Sequence, residues 1–442
     1  MDRVSCRYGR FQAGRLTVLL FVAASLAAHA QDASHKVDTG DTAFMLVSSA
    51  LVMLMTPGLA LFYGGMVRSK NVLGTIMHSF IAVALVTVAW VLWGYSLAFA
   101  PGSSFIGGLS WLGLNGVGLE PHSVYSPTVP HQAFMIFQMM FAIITPALMS
   151  GAVAERIKFS SYTLFILLWS TFVYCPIAHW VWADGGWLRT MGALDFAGGT
   201  VVHISSGVSA LVAAIWLGHR HKDEMELMRP HNMTMTLIGT ALLWFGWFGF
   251  NAGSAIASGQ LATSAFVATH VAAAAAGMTW AILDWLINKK ATALGLATGA
   301  VAGLVAITPA SGFVSPMPAL VIGIMVSVFS FHAVQLKNRF RYDDTLDVFG
   351  VHGVGGTWGA LATGLFASAA INSAGANGLF LGNPALLGKQ AIGVLATIGY
   401  AVLVTLILLK ILDLTLGLRV SPEHETIGLD ETQHGESGYV LP

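Results

Sequence analysis

The sequence predicts an all-α integral membrane protein of eleven transmembrane helices, built as an inverted five-helix repeat plus one extra helix. Three observations carry this prediction: the composition, a series of long apolar runs, and a spaced motif that occurs twice. Of the 442 residues, 55% are apolar and 10% are Asp, Glu, Lys or Arg, against about 25% charged residues in a typical soluble domain. That balance excludes an ordinary soluble enzyme. Twenty-one basic residues offset 21 acidic ones, so the totals hold no footprint for nucleic acid. The 49 glycines are scattered, which suits closely packed transmembrane helices, where small residues let backbones approach.

The first segment reads as a targeting signal. Arg3, Arg7, Arg10 and Arg15 precede the apolar stretch Leu16 to Ala28, and Ala28-His29-Ala30 is a small-x-small cleavage pattern before Gln31. Residues 1–30 are therefore expected to be a signal peptide whose removal leaves the new N-terminus outside. The alternative, a short first span, meets an apolar core shorter than the ~20 residues a crossing needs. Removal takes Cys6 with it and leaves Cys175 alone, so no disulfide forms within the mature chain.

Apolar runs long enough to cross a bilayer fall near 43–66, 73–99, 132–154, 160–182, 199–218, 234–256, 262–286, 293–309, 318–336, 346–368 and 390–412. With the N-terminus outside, the inside segments hold fourteen Lys and Arg, from Arg68 to Arg419, and the outside segments hold three, Lys36, Arg189 and Lys389. This positive-inside bias places the C-terminus in the cytoplasm. The chain then divides into the signal peptide 1–30, a membrane domain 31–415 and a cytoplasmic tail 416–442.

Ionisable residues within spans mark functional sites. Asp195 precedes His203 by eight residues in the fifth run, and Asp344 precedes His352 by eight in the tenth. Eight helical residues rise about 12 Å, close to half of a ~30 Å hydrocarbon core, so both histidines belong near the midplane. Gly207 and Gly356 each follow their histidine by four residues. A five-span unit crosses an odd number of times, so two successive copies are inverted, an arrangement that places a transporter's site at the repeat interface. The spacing equally suits two core histidines bonded to neighbouring helices.

Five stretches resemble the Amt/Mep/Rh family of ammonium transporters, most closely its bacterial Amt branch. They are Pro57-Gly-Leu-Ala-Leu-Phe-Tyr-Gly-Gly-Met-Val-Arg-Ser-Lys-Asn71, Gly151-Ala-Val-Ala-Glu-Arg156, Leu194-Asp-Phe-Ala-Gly-Gly-Thr-Val-Val-His203, Trp247-Phe-Gly-Phe-Asn-Ala-Gly-Ser254 and Asp347-Val-Phe-Gly-Val-His-Gly353. The resemblance runs in order from about residue 41 to the tail. It implies a homotrimer in the bacterial inner (plasma) membrane, each protomer taking up ammonium through its own narrow apolar pore. By the same resemblance, Trp182, Phe141 and Ser254 correspond to an outer recruitment site, and Phe141 with Phe250 to a stacked gate. His203 and His352 correspond to the paired pore histidines, Trp247 to a pore-wall residue, and Asp195 to the outer aspartate needed for recognition. Membrane lipid surrounds such a protein, and the family implies no cofactor and no metal.

The chemistry of the substrate explains such residue types. Ammonium is nearly the size of potassium, so a ring of carbonyl oxygens hardly separates the two. An indole face, a phenyl face and a hydroxyl offer cation–π attraction of roughly 0.5 to 2 kcal/mol and a directional acceptor. An apolar pore then rejects a bare cation, which loses its hydration there, and passes neutral ammonia. The expected path is deprotonation near Phe250 or His203, passage of ammonia, and a proton relay between neutral imidazoles.

Plainer readings stand beside these. Phe141 and Phe250 suit packing, Trp182 an interfacial belt, and Ser254 a bond to the preceding turn. Asp195 is either a direct cation ligand or, as favoured here, a helix cap with Gly198 and Gly199 as accessible backbone. His179 is taken as structural. Asp184, after Trp182, departs from the family pattern and adds a carboxylate at the vestibule. In the tail, Gly428-Leu429-Asp430 and His434-Gly-Glu436 resemble the Amt segment that contacts neighbouring subunits and works with a PII-type signal protein, although Thr426-Ile427 stands where that pattern carries charge. An Rh-like channel for neutral ammonia or carbon dioxide, and an ammonium sensor, are the competing functions. No motif for an enzyme rises above chance: Gly353-Val-Gly-Gly356 lies inside a span and follows no strand.

Overall fold

The computed structural model describes residues 36–221 and 229–439; the expected signal peptide lies outside the described residues. The principal helices are α1 (Thr39–Met66), α2 (Ser69–Phe99), α3 (His131–Val153), α4 (Phe159–Met191, bent after Trp182), α5 (Gly199–Leu217), α6 (Met233–Gly253), α7 (Gln260–Asn288), α8 (Ala293–Ile307), α9 (Pro316–Phe340), α10 (349–366) and α11 (Pro384–Thr415). Among the described residues, nine helices are long and apolar enough to cross a membrane. The runs expected at 293–309 and 346–368 are helical too. They fall short of that measure because α8 has 15 residues and because glycines and His352 dilute the apolar character of α10.

Local chemistry sets the helix starts. The Asp38 carboxylate accepts from Asp41 N–H at 2.8 Å at the head of α1, Asn232 from Met235 N–H at 2.9 Å at α6, and Thr292 from Gly295 N–H at 2.9 Å at α8. Pro316 and Pro384 open α9 and α11, where a missing N–H costs nothing. Between α2 and α3 the chain forms a small antiparallel hairpin, β1 (Pro121–His122) and β2 (Ser126–Pro130).

Glycine decides the closest packing. Helices α1 and α6, the first of each expected half, run against one another from Phe62 to Ser48. A Cβ on Gly239 would lie 2.3 Å from Phe62 N, and one on Gly253 would lie 2.7 Å from Ser48 Cβ. Such contact replaces the hydrophobic drive that lipid cannot supply between helices. Large apolar side chains meanwhile face outward on several helices, among them Phe245, Trp285, Leu395 and Leu403. That surface suits a hydrocarbon environment rather than water.

At one end of the bundle the charged motifs interlock. Glu155, 2% exposed, accepts from Arg68 N–H at 2.8 Å, Asn71 Nδ2 at 3.0 Å and Arg220 Nη1 at 2.9 Å. Arg220 also pairs with Asp343 at 2.8 Å, and Arg156 donates to the Asp343 carbonyl at 2.5 Å and to Thr345 Oγ1 at 2.7 Å. Burial alone would raise the Glu155 carboxyl, but Arg220 and Arg68 hold it below its ordinary value. Asp343 sits well below its ordinary value for the same reason, with Arg220 as the main partner against burial.

The tail docks on this end through a short helix, α12 (Pro422–Ile427). Asp430 accepts from Leu73 and Gly74 N–H at 3.0 and 2.8 Å, near the start of α2. Leu429 N–H donates to Asn71 Oδ1 at 2.8 Å, and Arg419 pairs with Glu425 at 2.6 Å. These bonds hold the tail to its own chain.

Candidate functional site

The two spaced motifs meet at the centre of the fold. Gly199–Ile204 and Phe349–Gly353 are π-helical turns, and each carries its histidine; wide turns of this kind concentrate at functional sites. Helices α5 and α10 cross there because of the glycines four residues on. A Cβ on Gly207 would sit 2.2 Å from Gly353 N, and one on Gly356 would sit 2.9 Å from His203 Cβ. The crossing brings His203 Nδ1 to 3.2 Å from His352 Nδ1. The rings stack at 5.3 Å with planes 23° apart, and both are buried. A bond between two Nδ1 atoms requires one to donate and the other to accept, so the pair shares one proton along that edge. His203 Nε2 is buried without a partner.

Aromatic rings extend from this pair. His203 stacks on Trp247 at 5.5 Å and on Phe250 at 6.2 Å. Phe250 lies 4.1 Å from Phe141, tilted by 31°, and Phe141 meets Trp182 edge-on at 5.8 Å. Trp247 is fixed by its indole N–H, which donates to Thr308 Oγ1 at 2.9 Å. Trp182 donates to the Asp195 carbonyl at 3.0 Å, so its nitrogen is engaged and its π face is what remains to offer.

Three cavities follow the rings. The first, about 170 Å³, is lined by Phe141, Trp182, Ser254, Gln138, Tyr125 and Arg189. A tight middle space, lined by Phe250, Trp247, His203, His352 and aliphatic side chains, holds about 10 Å³. Beyond His352, a cavity of about 40 Å³ is lined by Tyr63, Thr298, Val301 and Asp347 among others. The middle space has no charged wall, so a small neutral molecule suits it and a bare ion does not.

The helix heads behind the histidines are capped alike. The Asp195 carboxylate accepts from Gly198, Gly199 and Thr200 N–H, each at 2.7 Å, from Val201 N–H at 3.4 Å, and from the Thr200 hydroxyl. Asp344 accepts from Val348 N–H at 3.1 Å and Phe349 N–H at 2.8 Å. Ser254 donates to the Phe250 carbonyl at 2.9 Å, bonding its preceding turn while still lining the first cavity. His179 has both ring nitrogens against carbonyls, Ala98 at 2.9 Å and Ser103 at 2.8 Å, which ties α4 to the end of α2 and the loop after it. Asp184 is exposed, and its N–H donates to Tyr125 Oη at 2.9 Å.

The structure adds residues that the sequence reading passed over. Gln138 lies one turn before Phe141 on α3 and shares its cavity, a neighbour that the three-residue spacing could have flagged. Arg189 Nη1 donates to the Trp182 carbonyl at 2.7 Å, a contact across a bend that has no sequence signal.

This is the architecture of a multi-pass membrane transporter, with two crossed helices presenting paired histidines to an apolar path. Residues 43–439 match the profile of the Ammonium Transporter Family. An ammonium transporter of Bacillus subtilis is 56% identical over 401 residues, which cover 90% of this chain and 98% of that one. Ammonium transporter Amt1 of Archaeoglobus fulgidus is 48% identical, covering 91% and 99%. The crystal structure of Candida albicans Mep2 superposes with a TM-score of 0.83 at 39% identity, covering 88% of each chain. The chain belongs to the ammonium transporter family, whose members move a solute and are not enzymes.

Proposed function

We propose that the protein takes up ammonium across a bacterial inner membrane as a homotrimer, each protomer conducting through its own line of cavities. All eleven principal helices cross, the signal peptide 1–30 is removed, the N-terminus lies outside and the tail lies in the cytoplasm. Ammonium is recruited between Trp182, Phe141 and Ser254, with Asp195 shaping the vestibule as a helix cap. It passes the Phe141–Phe250 gate, gives up its proton near Phe250 or His203, and crosses the middle space as ammonia. His203 and His352 relay the proton, and Trp247 forms the wall. A PII-type signal protein meets the tail at the cytoplasmic face.

The observation that carries this reading is the Nδ1–Nδ1 contact of two buried imidazoles beside a space too small and too apolar for a hydrated ion. Clustering of Arg68, Arg156, Arg220 and Arg419 at the Asp347 end supports the orientation. The experiment is to reconstitute purified protein in liposomes on solid-supported membranes and to apply inward ammonium and potassium pulses. Current with ammonium alone is the expected result. Silence together with ammonia-dependent alkalinisation of the lumen would instead establish a neutral gas channel and leave the recruitment site without a purpose.

A further inference from the structure

Building on the transport reading, which it requires, we propose that the Asp347 carboxylate and the Asp344 carbonyl form an ammonium-binding site beyond His352, with the Lys337 side chain as its built-in competitor. The two repeats supply the first clue. Counted from the capping aspartates, the third residue on is Gly198 in one half and Asp347 in the other, and both are left-handed, with φ of 112° and 60°. Glycine adopts that backbone freely, and aspartate is among the few other residues that enter it. One half uses glycine there; the other places a carboxylate.

Placement supplies the second clue. Asp347 lines the 40 Å³ cavity that also touches His352, and His352 in turn lines the middle space. Whatever leaves the histidine pair in that direction therefore meets Asp347. The remaining walls are apolar apart from Tyr63 and Thr298.

The third clue is what the site already holds. Lys337, in the last turn of α9, donates from Nζ to the Asp344 carbonyl at 2.8 Å and pairs with the Asp347 carboxylate. The head of a lysine is an ammonium ion with one N–H replaced by a carbon tether, and it presents the same tetrahedral donors. A carboxylate and a carbonyl that satisfy one satisfy the other. Neighbouring charged groups are committed elsewhere: Arg220 to Asp343 and Glu155, and the Asp344 carboxylate to the head of α10. Tyr63 lines the cavity from α1, its hydroxyl donating to the Leu148 carbonyl at 3.1 Å. The Lys337 side chain is 18% exposed, so its head has water to swing into when ammonium takes its place. Ammonium accumulating on this side thus occupies the exit, and the mouth reports product concentration.

The test uses full-length protein inserted in one orientation in liposomes, with ammonium pulses applied to the Asp347 face and, separately, to the Trp182 face. Transport is read as current or as lumenal pH change. Asp347→Asn and Asp347→Gly are expected to raise the half-saturating ammonium at the Asp347 face about tenfold, the loss of one charge-assisted bond. Lys337→Met is expected to lower it severalfold, and none of the three is expected to move the value at the Trp182 face. The glycine variant copies the residue of the other repeat and relieves the backbone, which keeps folding out of the comparison. Unchanged half-saturation at the Asp347 face in all three variants, or equal shifts at both faces, would overturn the site. No ammonium response at either face of the unaltered protein would overturn the transport reading, and the site with it.

Discussion

The half of the molecule that carries Asp195 and the half that carries Asp344 share a plan and differ in its execution. In each, an aspartate caps a helix, a π-helical turn presents a histidine, and a glycine four residues later lets the partner helix through. At the Trp182 mouth the cap is saturated by four backbone N–H groups and a hydroxyl. The walls there are largely aromatic, with Gln138, Arg189 and Ser254 among them. At the Asp347 mouth the cap takes two N–H groups, and a second carboxylate, paired with Lys337, lines the cavity. Duplicated backbone geometry thus fixes where the histidines meet, and unduplicated side chains give each mouth a different lining.

Removing the shared centre should have the largest effect. With His203→Ala and His352→Ala combined, ammonium uptake is expected to be lost, or potassium to enter alongside it; an ammonium current of ordinary size that still excludes potassium would end the relay interpretation. Next come the crossing glycines. Gly207→Ala forces a Cβ to 2.2 Å from Gly353 N, whereas Gly356→Ala meets the His203 Cβ at 2.9 Å. Overpacking of this kind costs about 1–3 kcal/mol. The first variant is expected to lose more thermal stability and more uptake than the second, and equal losses would show that the crossing is softer than its spacing indicates.

The caps sharpen the contrast between halves. Asp195→Ala strands more donors than Asp344→Ala, so a loss of about 2 kcal/mol or more is expected for the first and about 1 kcal/mol for the second. Unfolding in graded denaturant measures both. A larger loss for Asp344→Ala would reverse the ranking of the two mouths.

The smallest effect concerns pH at the Asp347 end. Glu155 sits below its ordinary value of 4.5 in the folded chain. The stability it lends is therefore complete above pH 4.5 and is lost as pH falls through the lower, folded value. The gap in unfolding temperature between the unaltered protein and Glu155→Gln should narrow as pH drops below 4.5. A gap that is constant with pH would mean that the Arg68–Glu155–Arg220 cluster carries no net electrostatic stability.

Much of the fold was legible before any coordinates. Long apolar runs mark helices because backbone polar groups in hydrocarbon must pair within their own segment, and the expected starts of α5 and α11 near 199 and 390 agree with Gly199–Leu217 and Pro384–Thr415 to within several residues. The aromatic residues of the site were legible through the resemblance alone, since 25 phenylalanines carry no intrinsic mark of which two will stack. Gln138 went unread, hidden in a helix of similar residues, and Arg189 was read only as an outside charge, because it joins the vestibule across a bend. The sequence leaves Asp195 between ligand and cap, and its carboxylate accepts from Gly198, Gly199 and Thr200 N–H, the geometry of a cap.

By itself the sequence determined the apolar helical class, the alternation of basic and base-poor connecting segments, and the repeated Asp-to-His spacing, because each is a property of one segment or of totals along the chain. Only the tertiary structure decided that the two histidines touch, that Gly207 and Gly356 make room for the contact, and that Asp347 looks into the same path. The first two are relations between α5 and α10, segments more than a hundred residues apart at the histidine pair. Which faces of those segments meet is set by close packing of backbones and small residues, and no local spacing records it.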